Sequence, residues 1–143
     1  MPEIARSVIV SEFHGCNGSS VYRLNNGQTW QQSRYRYEYR YAYRPEARVV
    51  EEKGRYLLYV AGLGQPVTVQ RAAIVAEGQI VSKFTGFSNE ARFTFQNGRT
   101  FIPAEYKYRY HYAHRPQAVV VDGINGLELI VDGMDEHLRV RPG

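Results

Sequence analysis

Polar and aromatic residues alternate along two stretches of the chain, residues 35–45 and 106–116. The first reads YRYEYRYAYRP and the second YKYRYHYAHRP, so an aromatic ring occupies every second position for most of each stretch. Two residues is the side-chain period of a β-strand, and it does not fit the stripe of an amphipathic helix. The pattern therefore predicts two equivalent strands, each ended by a proline, Pro45 or Pro116, which cannot donate a ladder hydrogen bond.

The two stretches are parts of a repeat that covers nearly the whole chain at an offset of 71 residues. At this offset Asn26–Gly27 aligns with Asn97–Gly98, and most other matches are turn glycines or alternating apolar residues. We place the first repeat at residues 1–74 and the second at residues 75–143. A unit of about 70 residues forms only a marginal core by itself, so we expect the two repeats to pack as one body.

The remaining apolar alternation of the first repeat predicts further short strands and a hairpin. Asn26–Gly27 is a strong hairpin signal and is typical of a type I′ turn. No segment has a helical period. Short strands with frequent turns favour an all-β fold of two tandem, similar, small SH3-like barrels. The predicted strands are Ala5–Phe13, Val21–Leu24, Thr29–Gln32, Arg34–Arg44, Ala47–Glu52, Tyr56–Val60 and Pro66–Gln70.

The ladder strand of the first repeat has two faces of different chemistry. Its tyrosines share one face, whereas Arg36, Glu38 and Arg40 share the other. Burying three charged groups would cost more than burying tyrosines whose hydroxyls reach a partner at the rim. We therefore expect the tyrosines to point inward and the arginines to be solvated. Five tyrosines exceed the interior of one small barrel, so part of the ladder is expected to form an interface.

That interface has three candidate partners: the other repeat, a second protomer in a homodimer, or another protein. Single-stranded nucleic acid is the alternative, because tyrosines stack on bases and the chain has a net charge of +4 with a pI near 9.3. It is the weaker interpretation, since the rings and the charges lie on opposite faces of the strand. The candidate binding residues are Arg36, Tyr39, Arg40, Tyr41, Tyr43, Arg44, Arg109, Tyr110, His111, Tyr112, His114 and Arg115.

Four of the matched positions are interpreted individually. Trp30 and Phe101 follow the Asn-Gly turn in their repeats, and we expect both to plug the core. Arg44 and Arg115 both precede the proline that ends a ladder. They are candidates either for capping nearby carbonyls or for contacting an anion, and the capping interpretation is favoured.

No arrangement of residues in the sequence indicates catalysis, a metal site or a cofactor. No phosphate-binding loop, nucleophile elbow or zinc-protease helix is present. His111 and His114 are three residues apart, which on a strand sends them to opposite faces. The acidic turn around Asp132, Asp135, Glu136 and His137 has no counterpart in the first repeat, and we interpret it as solvated. We expect the protein not to be an enzyme and to need no cofactor.

Targeting and redox signals are equally sparse. Cys16 is the single cysteine and cannot form an internal disulfide, and no charged neighbour in sequence activates its thiol. The first ten residues lack the regions of a signal peptide, and no apolar run is long enough to span a bilayer. We expect a cytoplasmic protein without membrane contact.

The first repeat resembles a group of small uncharacterised bacterial proteins of the kind carried on mobile DNA, including integron gene cassettes. The resemblance rests on EFHG, on NGQTWQQ, on YRYEYRYAYRP and on the following VV and YLLYVAG segments, from about residue 8 to residue 71. The second repeat departs from it with Phe101 for the tryptophan, Ile102–Pro103 for the glutamines and His114 for the last tyrosine. The shared motif is specific as a family marker and implies no activity. The sequence thus predicts a binding protein for a macromolecular partner or for itself.

Overall fold

The structure, a computed structural model, describes residues 3–11, 13–134 and 136–143. All the regular secondary structure in these ranges is β-strand, which confirms the predicted all-β class. The chain divides into two compact units, Met1–Ala72 and Ala73–Gly143, called unit 1 and unit 2 below. No helix in the described ranges is long and apolar enough to cross a membrane.

The strands of the two units correspond at the repeat offset, and β8 contributes to both. Unit 1 contains β1 (Glu3–Val8), β2 (Phe13–Asn17), β3 (Val21–Arg23), β4 (Thr29–Gln32), β5 (Tyr37–Ala42), β6 (Glu46–Glu52), β7 (Arg55–Val60) and residues 67–72 of β8 (Val67–Gln79). Unit 2 contains residues 73–79 of β8, β9 (Phe84–Phe87), β10 (Phe93–Thr94), β11 (Thr100–Pro103), β12 (Arg109–Ala113), β13 (Gln117–Gly123), β14 (Gly126–Val131) and β15 (Leu138–Pro142).

Both units have the same antiparallel topology. The strand order is β1-β6-β7-β8-β4-β3 in unit 1 and β8-β13-β14-β15-β11-β10 in unit 2. A separate two-stranded sheet pairs β2 with β5, and its counterpart pairs β9 with β12. The sheets are not closed, so the SH3-like barrels stay a prediction, as does the packing of the two repeats as one body.

Each unit has its own hydrophobic core, built from equivalent positions. Trp30 and Leu58 are fully buried in unit 1, and Phe101 and Leu129 occupy the same places in unit 2. The alternation along β6 and β7 directs one row of apolar side chains inward. The core residues of the six-stranded sheets therefore come from the strands with apolar alternation, and the tyrosine ladders are not needed to complete them.

The Asn-Gly hairpin is confirmed, but its turn differs from the predicted type. Strands β3 and β4 pair across it, yet only Gly27 has a positive φ, of 91°, and Asn26 does not. The Gly27 N–H donates to the Leu24 carbonyl at 3.0 Å, and the Leu24 N–H donates to Gln28. This is the longer hairpin in which a glycine in the left-handed region follows an ordinary turn.

Two predicted strands are shorter than expected. The strand predicted at Ala5–Phe13 is divided, because β1 ends at Val8 and β2 begins at Phe13; Glu12, between them, lies outside the described residues. The ladder predicted as one strand from Arg34 to Arg44 is regular only in β5. The segment before β5 is outside a strand, and its Arg34 and Arg36 carbonyls accept hydrogen bonds from a buried side chain of β4, as described below.

Candidate functional site

The tyrosines of both ladders lie on the outside of the protein. They are 60% to 82% exposed, which makes them the most exposed large apolar side chains in the described ranges. The prediction that this face points inward is therefore wrong. We call Tyr35, Tyr37, Tyr39, Tyr41 and Tyr43 the first tyrosine row, and Tyr106, Tyr108, Tyr110 and Tyr112 the second tyrosine row.

On the charged face of the ladder Arg40 is exposed, as expected, whereas Arg36 and Glu38 are half-buried against unit 1, which corrects the expectation for these two residues. The Arg36 guanidinium donates to the Glu38 carboxylate at 2.6 Å and to the Gln65 carbonyl at 2.7 Å. The other Glu38 oxygen accepts the Gly64 N–H at 3.1 Å. These bonds hold the pKa of the Glu38 carboxyl below its usual range, first through Arg36 and then through the backbone N–H. Pairing offsets the free-energy cost of partly burying these charges. The same bonds attach the ladder to the turn at residues 62–65.

Unit 2 repeats this anchoring with different residues. The Lys107 ammonium donates to the His137 carbonyl at 2.7 Å, and the Arg109 guanidinium donates to Glu136 at 2.9 Å. The Glu105 carboxylate accepts the backbone N–H of Arg139 at 2.7 Å. These charged positions, even-numbered in unit 1 and odd-numbered in unit 2, lie on the side of the ladder that contacts the rest of the unit. The tyrosines lie on the opposite side and face solvent.

A glycine brings the ladder strand close to its partner strand in each unit. Gly15 has a φ of 94°, and a Cβ there would overlap the Glu38 carbonyl oxygen. Gly86, its counterpart, has a φ of 103°, and a Cβ there would overlap the carbonyl of Arg109. Only glycine adopts this conformation without strain and leaves room for the facing backbone. This accounts for the glycine that follows two residues after Phe13 and again two residues after Phe84.

The buried side chain of Gln32 holds the start of the first ladder. Its amide nitrogen donates to the carbonyls of Arg34 and Arg36, both at 3.0 Å, and its oxygen accepts the Gly18 N–H at 2.7 Å. Gln32 is fully buried, so these bonds also satisfy its own polar atoms. The sequence did not identify this role, although the glutamines of TWQQ were a visible signal. Pro103 occupies the equivalent place in unit 2.

Tyr22 and Cys16 are buried in the core of unit 1. Tyr22 donates its hydroxyl hydrogen bond to the Gly15 carbonyl at 2.8 Å and packs against Phe13 with ring centroids 6.1 Å apart. Burial raises the pKa of the Tyr22 phenol and of the Cys16 thiol, because it disfavours their charged forms. A buried thiol with a raised pKa is a poor nucleophile.

Trp30 and Phe101 are both fully buried and have no exposed ring face for a ligand. The Trp30 ring lies 5.1 Å from that of Tyr56, and its Nε1 donates to Gln28 at 3.2 Å. The Arg71 guanidinium lies 4.7 Å from the Trp30 ring centroid. Both aromatic residues therefore belong to the interior of their units.

His14 joins the first tyrosine row, and its place there was missed at the level of sequence. Its ring centroid lies 6.1 Å from that of Tyr39, with 20° between the planes, and 5.6 Å from that of Tyr41. His14 precedes Gly15 on β2, which is paired with β5, so it reaches these rings from the neighbouring strand. The equivalent residue of β9 is Thr85, which is exposed. The two rows are thus similar but not identical.

The other predicted binding residues are distributed around the rows. Arg44 and Arg115 are exposed at the end of each row, with φ of 47° and 48° in the left-handed region. Arg40 is exposed beside Gly62, His114 is exposed, and His111 is half-buried near Gly133. The ends of the rows therefore combine an exposed tyrosine or histidine with an exposed arginine.

The acidic turn of unit 2 packs against a neighbouring strand. The His137 imidazole lies 3.5 Å from the buried carboxylate of Glu128, and Glu136 bonds to Arg109 as described above. Asp135 lies outside the described residues. In the rest of the chain that the structure describes, three or more His, Cys, Asp or Glu side chains do not gather in a way that could hold a metal ion.

Comparison with known protein families, with curated proteins and with solved structures finds no match to this chain. The resemblance to small proteins of bacterial mobile DNA therefore stays a prediction. Conclusions about function rest on the geometry of the two tyrosine rows.

Proposed function

We propose that this protein is a non-enzymatic interaction module that associates with a second copy of itself through its tyrosine rows. The observation that carries the proposal is the exposure of nine tyrosines at 60% to 82% in the two tyrosine rows. Large exposed apolar patches are unusual on monomeric proteins and mark interaction sites. Tyrosine is also among the residues that contribute most to binding energy in protein interfaces.

The area of the first tyrosine row supports an interface of ordinary size. Five tyrosines of about 150 to 250 Å² each, at their observed exposure, present roughly 500 to 850 Å². A stable protein interface buries about 800 Å² on each partner. Tyrosine also loses little side-chain entropy on binding, since it has few rotatable bonds. One row with its neighbouring arginines thus supplies most of the surface that a stable contact needs.

The arrangement of charge favours a protein partner over nucleic acid. Arg36 and Arg109 are paired with Glu38 and Glu136 inside their own units, on the side of the strand away from the tyrosines. Phosphate binding needs cations on the same surface as the stacking rings. An interface between protein surfaces needs no such cations, because burial of the rings supplies the driving force.

Single-stranded nucleic acid is the second candidate, and one observation favours it. Residues 1–72 carry ten Lys and Arg against six Asp and Glu, whereas residues 73–143 carry eight of each. The whole excess of positive charge therefore belongs to unit 1, which also has exposed Arg34, Arg40 and Arg44 around its tyrosine row. Aromatic stacking platforms with basic surroundings are typical of single-strand binding proteins.

Analytical ultracentrifugation across the micromolar range tests the proposal. We expect the unmodified protein to associate reversibly and the double variant Tyr39→Ser/Tyr41→Ser to associate at least tenfold more weakly. Tyr59→Ser is the matched control, because Tyr59 is a half-buried tyrosine of unit 1 that lies outside the row. Circular dichroism melting shows that each variant is folded. A protein that stays monomeric at all concentrations contradicts the proposal.

The nucleic-acid alternative is measured separately with a fluorescein-labelled oligo-dT probe. Binding through phosphates requires an anisotropy increase that weakens steeply between about 50 and 200 mM salt. Nucleic-acid binding is favoured over self-association if the unmodified protein stays monomeric but raises the anisotropy of the probe, and if the Tyr39→Ser/Tyr41→Ser variant does not raise it.

A further inference from the structure

The strands next to the two tyrosine rows differ at one position, which is His14 in unit 1 and Thr85 in unit 2. In unit 1 the ring of His14 lies against Tyr39 and Tyr41. In unit 2 the register of β9 and β12 pairs Gly86 with Tyr110 and Phe84 with Ala113, which places Thr85 beside the same part of the row. Among the described residues, no ring or guanidinium contact is made by Tyr110 or Tyr112. The second row therefore leaves open the place that an imidazole fills in the first.

The open place has the dimensions of a site for a planar group. In unit 1 the His14 ring occupies the equivalent place, with its centroid 6.1 Å from that of Tyr39 and 5.6 Å from that of Tyr41. A guanidinium is attracted to an aromatic face when it lies within about 6 Å of the ring centroid. This chain uses that contact repeatedly: Arg48 lies 4.3 Å from the Tyr59 centroid, and Arg99 lies 5.2 Å from that of Phe101. An arginine is thus a suitable occupant for the space between Tyr110 and Tyr112.

Unit 1 offers such an arginine on its own interaction surface. Arg44 follows Tyr43 at the end of the first tyrosine row, is exposed, and forms no ion pair among the described residues. Its φ of 47° places it in the left-handed region, so the chain turns sharply there before Pro45. Arg44 therefore lies next to the last tyrosine of the row, within reach of a second molecule docked there.

The net charges of the two units favour contact between unlike rows. Two copies of unit 1 would bring excess positive charge against excess positive charge, which is unfavourable. Unit 2 carries equal numbers of basic and acidic residues, so its net charge opposes a cationic surface less than a second copy of unit 1 does. The first row is also already filled at its centre by His14, whereas the second row is not.

From these observations we infer that self-association joins unlike rows: the first tyrosine row of one copy docks on the second tyrosine row of another, with Arg44 over Tyr110 and Tyr112. The inference rests on the proposed function and adds its direction and its specificity residues. Such a contact uses different surfaces on the two partners, so it closes into a ring or a dimer only if the geometry allows and otherwise continues into longer assemblies. Arg44 and Thr85 are the residues that set the pairing.

Substitution of Arg44 tests the donor side. We expect Arg44→Gln to weaken association about 5- to 30-fold, the effect of losing one partly desolvated cation–π contact. Arg44→Lys should recover only part of the loss, because an ammonium lacks the planar face of a guanidinium. Arg55→Gln is the control, since Arg55 is an exposed arginine of unit 1 outside the rows and its loss changes the net charge equally. Equal effects of Arg44→Gln and Arg55→Gln would overturn the inference.

Substitution of Thr85 tests the acceptor side. Thr85→His should place an imidazole where His14 lies in unit 1 and weaken association, whereas Thr85→Ser should not. Both variants are measured by ultracentrifugation, with melting curves as a check of folding. Self-association that depends on Tyr39 and Tyr41 but not on Arg44 or Thr85 overturns this inference and leaves the proposed function standing. Absence of self-association in the unmodified protein overturns both.

Discussion

Arg36, just before β5, and Glu38, within β5, form an ion pair with 2.6 Å between Nη1 and Oε1. The pair does not stand alone on a solvated surface, since both side chains also bond to the backbone of the turn at residues 64–65. The contact joins the ladder to unit 1 through its charged side. As a result the tyrosines on the other side of the strand face outward.

The pH dependence of stability should reveal this anchor. The folded-state pKa of Glu38 is lowered by Arg36 and the Gly64 N–H, so its contribution is present above the unfolded pKa and is lost as pH falls through the folded value. We expect the melting temperature to fall on acidification and Glu38→Gln to remove part of that fall. Melting curves from neutral to acidic pH measure it. Parallel profiles for the two proteins would contradict the role of Glu38.

The close approach of β2 to β5 depends on Gly15. We expect Gly15→Ala to lower the free energy of unfolding by about 2 to 4 kcal/mol, because the new Cβ meets a backbone carbonyl in a strained conformation. Urea denaturation measures the change. Gly64→Ala serves as the control, since its Cβ would meet only the flexible Glu38 carboxylate, at 3.8 Å. Similar losses for the two variants would show that the close approach is unimportant.

The side-chain amide of Gln32 should contribute to the stability of unit 1. Gln32→Leu leaves the Gly18 N–H and two ladder carbonyls without their partner, at a cost of about 1 to 3 kcal/mol. Gln70→Leu makes the same change on the exposed side of β8 and should be nearly neutral. Urea denaturation compares them, and hydrogen exchange at Gly18 reports whether the local bond is lost. An unchanged exchange rate at Gly18 would argue against the bond.

Chemical accessibility distinguishes the outward rows from the interior. Nitration with tetranitromethane should modify the nine row tyrosines of the isolated, dilute protein, whereas Tyr22 should react only after unfolding. Cys16 should likewise react with a thiol reagent only when the protein opens, because it is buried and burial raises its thiol pKa. Peptide mass spectrometry identifies the modified residues. Rapid modification of Tyr22 or protection of most row tyrosines would contradict the structure.

Several features of the fold could be derived from the alternation of residues. The all-β class, the hairpin at Asn26–Gly27 and the strands β6 and β7 follow from short-range rules, since a strand's side-chain period and a turn glycine are local properties. The turn type and the division of the first strand could not be derived. The first strand involves bonds to distant residues, such as the Ile9 N–H to the Pro45 carbonyl, and the turn is closed by the two bonds between Leu24 and residues 27–28, which the Asn-Gly pair alone does not specify.

The candidate site shows the same limit more clearly. The sequence by itself determined that the tyrosines of each ladder share one face and that the ladders occur twice, because the period of a strand leaves no other arrangement. Only the tertiary structure decided which face is outside. Alternation is symmetric with respect to burial, and the choice depended on two facts beyond any single strand: Trp30, Leu58 and their neighbours already fill the core, and the charged face finds partners in a turn more than twenty residues away.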